Sequence, residues 1–300
     1  MDLAMKVIKF GGTSVGTVES LRNVKAIVDE CHEQVIVVVS ALGGVTNQLI
    51  AMTELAKHHD PAYEQLLKEL KQRHASVIAG VVPEERQQEC LDVINTFIDE
   101  GLASFYSLLC GSDELAPDFV DKVSDAIVSH GEIMSSAIVT AMLDGAVPHF
   151  SPHFIKTMDT DTERVLDAAT TEQLIQEEFA HRTERVHVTQ GFIAADVLTG
   201  EKTNLGRGGS DFTAALIAAA LDAECLEIWT DVDGFMTADP RADPTATVIP
   251  RMTYAEAQRM CDAGAKVIYA PTIAPVALKH IPVWVKNTFN PTAPGTVIRE

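Results

Sequence analysis

The stretch Val7-Ile8-Lys9-Phe10-Gly11-Gly12-Thr13-Ser14 decides the reading of this chain. An apolar β-run ends in a lysine and a glycine pair that opens a helical pattern, which predicts a strand, a turn and a helix arranged to hold an anion. Glycines let the backbone come close to an anion, a following helix N-terminus presents free N–H groups, and Lys9 adds a full positive charge. The segment is not a Walker motif. The same string also fits an ordinary strand-to-helix turn, so the rest of the chain must decide between the two.

A second run repeats the form. Gln34-Val35-Ile36-Val37-Val38-Val39-Ser40 leads into Ala41-Leu42-Gly43-Gly44-Val45-Thr46-Asn47. Two Val- and Ile-rich strands, each ending in a glycine pair, predict central parallel strands whose loops share one carboxyl edge, the place where ligands of open α/β sheets bind. From 48 to 143 the periodicity is helical and reads as scaffold, with 111–118 as a surface turn. Further strands are expected at 186–189, 226–230, 247–249 and 282–286, and a closing strand in 294–298. A helix over 211–222 is expected to take Ser210 as its cap and Asp211 into its first turn. The alternation predicts a three-layer α/β/α sandwich with a mainly parallel central sheet, without internal repeats.

Composition narrows the function. The 300 residues are 46% hydrophobic and carry a formal charge of −20, which repels nucleic acid and anionic membranes at long range. No run is long and apolar enough for a membrane span, and the N-terminus lacks signal-peptide features, so the chain reads as cytoplasmic. Five widely spaced cysteines without a C-x-x-C pair fit reduced, buried thiols. His58-His59, His149 and His153 read as surface histidines and no metal centre is expected. The acidic loop after Trp229 lacks the full EF-hand pattern, and no G-x-S-x-G elbow occurs.

The most specific anion signal is Leu205-Gly206-Arg207-Gly208-Gly209-Ser210-Asp211. Arg207 can hold a carboxylate through two parallel hydrogen bonds, and Asp211, if near Lys9, can orient its ammonium. Trp229-Thr230-Asp231 through Asp239-Pro240-Arg241 reads as a nucleotide loop or as a turn-rich connection.

With Ser129-His130-Gly131-Glu132 and Gly264-Ala265-Lys266-Val267-Ile268 added, six motifs stand in an order that resembles the aspartokinases of the amino-acid kinase superfamily, over nearly the whole chain. The resemblance implies the amino-acid kinase (carbamate kinase-like) fold as one catalytic domain over 1–300, with an amino-acid lobe over about 1–200 and a nucleotide lobe over about 201–300. It implies that Lys9 contacts the transferring phosphate and Asp211 positions that lysine. Thr46, Glu132, Arg207 and Ser210 would bind L-aspartate, Glu132 taking the ammonium and Arg207 the α-carboxylate. Gly11, Gly12, Ser14, Gly43, Gly44, Gly208, Gly209, Thr230, Asp231, Arg241 and Lys266 would line the nucleotide side. Met236 stands where family members often have tyrosine.

The implied reaction transfers the γ-phosphate of ATP, with Mg²⁺, to the β-carboxylate of L-aspartate, the first step of lysine, threonine and methionine biosynthesis. That carboxylate is ionised at neutral pH and needs no general base. Two alternatives stand beside it: a superfamily enzyme acting on acetylglutamate, glutamate or carbamate, and a catalytically silent sensor of amino acid or nucleotide. A homodimer is expected through apolar helical surface in 48–143. The regulatory domains that usually follow in the family are expected to be absent from 1–300. Val267-Ile268-Tyr269-Ala270-Pro271 resembles the type fused to homoserine dehydrogenase, but no G-x-G-x-x-G is present to encode that second enzyme.

Overall fold

A computed structural model of the chain describes residues 5–112, 115–160, 163–238, 243 and 245–300. β1 (Met5–Phe10) is followed by α1 (Val18–Asp29), β2 (Gln34–Val39) and α2 (Val45–Lys57). A helical block comes next: α3 (Tyr63–Val81), α4 (Glu84–Thr96), a π-helical stretch over Phe97–Leu102, α5 (Ala103–Cys110) and α6 (Pro117–Met142). Then come β3 (Val147–His149), β4 (Lys156–Asp159), β5 (Arg164–Leu166), α7 (Ala168–Phe179), β6 (Val186–Gln190), β7 (Ile193–Asp196) and β8 (Lys202–Asn204). The chain continues through α8 (Gly209–Ala220), β9 (Cys225–Thr230), β10 (Arg251–Met252), α9 (Tyr254–Asp262), α10 (Ile273–Leu278), β11 (Val283–Asn287) and β12 (Thr296–Ile298).

Eight strands form the main sheet in the order β10-β12-β11-β9-β1-β2-β6-β3, with every pair parallel except β11 with β12. The pleat sorts the core. Val35, Val37 and Val39 of β2 pack into the cluster under α1 to α6, while Ile36 and Val38 pack into the opposite one, which contains α8. β1 obeys the same alternation: Ile8 and Phe10 face the first cluster and Val7 the second. Lys9 therefore leaves β1 on the α8 side, and the strand's period of two fixes where its ammonium can go. Among the described residues no helix is long and apolar enough to cross a membrane.

The three-layer α/β fold and its parallel centre agree with the sequence reading, and several details differ. The expected strand at 247–249 is reduced to an isolated bridge between Val248 and Met236, and the strand forms beyond Pro250 as β10. Pro250 has no N–H to give a ladder, which separates the two stretches. α8 starts at Gly209, and its cap is Gly208, in the left-handed region at φ 73°, with no side-chain cap bond from Ser210. A second sheet, β5-β4-β7-β8, lies outside what periodicity suggested, because its strands are only three or four residues long. His149 is buried, with its Nδ1 2.6 Å from Glu178 Oε1 and its Nε2 2.9 Å from His187 Nδ1. Only His58, His59 and His153 of the expected surface histidines are exposed. The expected turn at 111–118 falls partly outside the described residues, and Pro117 already begins α6.

Candidate active site

The carboxyl ends of β1, β2 and β9 lie side by side, and Lys9 is the charged group at their centre. It is 9% exposed, and its Nζ lies 2.6 Å from Asp211 Oδ1. The other oxygen, Asp211 Oδ2, accepts the Tyr269 N–H at 3.1 Å. One carboxylate thus joins the end of β1, the first turn of α8 and the segment before α10. A Cβ on Gly11 would lie 3.3 Å from Lys9 Nζ, so the glycine keeps the ammonium accessible at its own loop.

The glycine loops serve each other as well as any ligand. A Cβ on Gly43 would lie 2.9 Å from Gly12 O, and one on Gly12 3.1 Å from Ala41 O, so the loops after β1 and β2 touch backbone to backbone. Arg73 of α3 clamps this seam, donating from Nη2 to Gly43 O at 2.6 Å and Gly16 O at 3.2 Å. No local pattern announced Arg73, because its partners are far away in sequence.

Free helix amides come from other places than the first loop suggested. α1, which follows Gly11-Gly12, does not open directly from them: Thr17 and Ser20 close its N-terminus with a capping box. α2 and α8 instead begin at left-handed glycines, Gly44 and Gly208, with no side-chain cap bond. The Val45 and Gly209 N–H groups are taken by Leu42 O and Gly206 O, and the Asp211 N–H by Gly208 O, so among the described residues the N–H groups of Thr46 and Asn47 in α2 and of Ser210 in α8 are the first-turn amides left for an anion or water. A Cβ on Gly208 would lie 2.2 Å from Tyr269 Cγ, so only glycine fits there.

Glu132, expected on a helix where a lone glutamate is usually solvated, is instead 4% exposed. Its Oε1 accepts the Ala41 N–H at 3.1 Å, and its Oε2 is buried with no hydrogen-bond partner among the described residues. Burial pushes its carboxyl up to about 8, against the pull of the Ala41 amide. A buried carboxyl with one oxygen unmet costs free energy, which a cation or a hydrogen-bond donor placed at that oxygen would offset.

The remaining expected residues divide in three. Thr46 in the first turn of α2 and Ser210 in that of α8 flank the crevice, half-buried and buried, and Arg207 is exposed with no ion pair among the described residues. A Cβ on Gly209 would lie 3.0 Å from Leu205 Cβ and 3.1 Å from Phe192 Cα, so a side chain there would crowd both. Thr230 and Asp231 stand at the end of β9, where Thr230 Oγ1 donates to Asp231 Oδ1 at 3.3 Å, and Lys266 is exposed. Ser14 is fully buried. Its hydroxyl lies 2.6 Å from Thr288 Oγ1 and donates to Trp229 O at 3.3 Å, so it ties the first loop to β9 and β11 and leaves no open ligand. Met236 bridges Val248 and is half-buried. Arg241, with Asp239 and Pro240, lies outside the described residues.

The sequence reading missed two residues at this edge. Ser40 is half-buried at the end of β2, beside the Ala41 amide that holds Glu132. Phe192 adopts φ 68°, with its N–H bonded to Thr213 Oγ1 at 3.1 Å. A left-handed phenylalanine is strained, and the only hint in the chain is its place after Gly191.

Fold and site together define an α/β protein whose main sheet brings a buried Lys9–Asp211 pair and a buried Glu132 with one oxygen unpartnered among the described residues to the carboxyl ends of β1 and β2. The chain belongs to the amino acid kinase family, which it matches over residues 4–287. It is 33% identical to the bifunctional aspartokinase/homoserine dehydrogenase of Haemophilus influenzae over 98% of this chain and 36% of that protein. It is likewise 33% identical to the chloroplastic aspartokinase 2 of Arabidopsis thaliana, over 97% of this chain and 54% of that one. The structure of E. coli aspartokinase III in complex with aspartate and ADP superposes with a TM-score of 0.83 at 32% identity, covering 99% of this chain and 64% of the other. The chain therefore spans less than two thirds of the length of each of these relatives.

Proposed function

We propose that this chain is an aspartate kinase domain, transferring the γ-phosphate of ATP to the β-carboxylate of L-aspartate to give 4-phospho-L-aspartate and ADP. The observation that carries the reading is the buried, partnerless Oε2 of Glu132 at the edge that also holds the Lys9–Asp211 pair. An amino acid's ammonium satisfies the first and a phosphate the second. Arg207 takes the α-carboxylate as a two-pronged donor, and the hydroxyls of Thr46 and Ser210 complete the amino-acid side. A ligand lacking the ammonium leaves the buried Glu132 unpaired, which favours a free α-amino acid over an acetylated one.

A β-carboxylate oxygen attacks the γ-phosphorus, the bond to the β–γ bridging oxygen breaks, and ADP leaves with that electron pair. The nucleophile has a reference pKa of about 3.9 and arrives ionised, so no protein base is required. Catalysis is alignment and neutralisation of like charges: Lys9, held by Asp211, and the Ser210 N–H in the first turn of α8 face the moving phosphoryl. Magnesium enters with the nucleotide as MgATP, where phosphate oxygens and waters supply most of its ligands. A lysine and helix amides suit phosphate oxygens, not a bare cation. Gly11, Gly12, Gly43, Gly44, Gly208 and Gly209 shape the nucleotide path, with Thr230, Asp231, Lys266 and Arg241 beyond it. The division into an amino-acid lobe over about 1–200 and a nucleotide lobe over about 201–300, cytoplasmic placement, and a homodimer through exposed Ile50, Val93, Leu108 and Phe119 belong to the same proposal.

The test is ATP- and Mg²⁺-dependent formation of a hydroxylamine-trappable acyl phosphate, with aspartate, glutamate and acetylglutamate in parallel. Turnover with aspartate alone, lost in Lys9→Ala, supports the reading. Turnover with glutamate or acetylglutamate in its place, or none in the presence of ligand binding, overturns it.

A further inference from the structure

Arg207 sits on an exposed turn whose Gly209 N–H donates to Gly206 O at 3.0 Å. An arginine that must meet a carboxylate at a set distance from a buried glutamate needs its turn held still. The anchor is two residues before Gly206. Asn204, at the end of β8, accepts the Gly206 N–H on Oδ1 at 2.9 Å and donates from Nδ2 to Asp125 Oδ1 at 2.7 Å. Asp125 Oδ2 accepts from Arg164 Nη1 at 2.6 Å, and Arg164 Nε donates to Asp159 Oδ1 at 2.9 Å. Both ends of the Asn204 amide are used, one on the turn and one on α6, and the carboxylate that receives it is itself held by β5.

Asp125 and Glu132 lie seven residues apart on α6 and so share one face of that helix. α6 acts as a ruler. One mark carries the proposed ammonium acceptor, and the other carries, through Asn204, the turn that presents Arg207. We infer that Asn204 is a positioning residue which sets the separation of Arg207 from Glu132, and with it the fit of a free α-amino acid; the inference rests on the aspartate kinase reading. Neither Asn204 nor Asp125 contacts the reacting groups.

The experiment compares wild type with Asn204→Ala, Asp125→Ala, Asp125→Asn and, as a control, Lys122→Ala. Lys122 Nζ lies 2.8 Å from Glu201 Oε2 and joins α6 to the turn before β8 without reaching Gly206. Loss of the latch is expected to raise the KM for aspartate about tenfold while kcat and the KM for ATP stay within about twofold. Asp125→Asn keeps an oxygen for the Asn204 amide and recovers most of the affinity, the double alanine variant is no worse than either single one, and Lys122→Ala is silent. Hydrogen exchange over 204–210, which needs no turnover, is expected to quicken in Asp125→Ala. Unchanged exchange overturns the latch. Faster exchange with an unchanged KM for aspartate overturns the positioning role, and a wild type that neither binds nor phosphorylates aspartate overturns the functional reading instead.

Discussion

Replacing Glu132 with glutamine probes the amino-acid side of the crevice through a group whose charge the fold itself suppresses. Burial pushes this carboxyl up to about 8, so about one free molecule in eleven carries the ionised form at pH 7 and about one in two at pH 8. An ammonium ligand selects the ionised form, and its apparent affinity is reduced by that fraction. At saturating MgATP the KM for aspartate is therefore expected to fall about fivefold from pH 7 to pH 8 and about twofold more by pH 9. Calorimetry in buffers of different ionisation enthalpy should show about 0.9 proton released per aspartate bound at pH 7. Glu132→Gln keeps an oxygen for the Ala41 N–H but removes the charge. Leaving a buried charge unpaired costs about 2–5 kcal/mol, so kcat/KM should drop at least about 30-fold at pH 8 and the pH dependence should flatten. A wild-type KM that does not change between pH 7 and 8, or a glutamine variant that retains the slope, refutes the assignment of Glu132.

Three other outcomes are expected. Lys9→Met should lower kcat at least about 100-fold and also destabilise the fold, because Asp211 is left as a buried unpaired charge; adding Asp211→Asn should recover the melting temperature and not the turnover. Gly208→Ala, forced against Tyr269 at φ 73°, should cost about 2–4 kcal/mol in urea unfolding, whereas Gly206→Ala, at φ 70° with open space around its Cβ, should cost about 1 kcal/mol. Burial holds His74 and His130 down at about 4. The unfolded chain takes those protons first, so stability is full above about pH 6.5 and should fall by about 1 kcal/mol per pH unit for each histidine on the way to pH 4. Unfolding midpoints at pH 7 and pH 5, with His74→Leu showing the smaller loss, check this.

The features legible in the sequence were those set by short-range periodicity. The apolar runs of β1 and β2 declared buried parallel strands, and the pleat then sent Lys9 to the face where α8 brings Asp211. The alanine-rich body of α8 was equally plain, but its start was not, since Ser210 and Gly208 compete for the cap and packing against Tyr269 decides for the glycine. Long-range contacts were silent. Nothing near Ser14 names Thr288, nothing near Arg73 names the glycine seam, and the burial of Glu132 and His149 follows from which helix and strand edges meet. The capping box of Thr17 and Ser20 was readable locally, and it changes which helices leave amides free.

The Gly12 and Gly43 loops meet main chain against main chain, and the Arg73 side chain that clamps them does so through backbone oxygens. Any heavier group at either position levers β1 and β2 apart at their shared edge, whatever its chemistry. Variation can reach Glu132, Thr46 or Arg207 one at a time and alter what the crevice prefers. Its handle on where the loops meet is narrower, a clamp of Arg73 on backbone oxygens. In this molecule preference is open to evolutionary drift, and location is locked into the backbone.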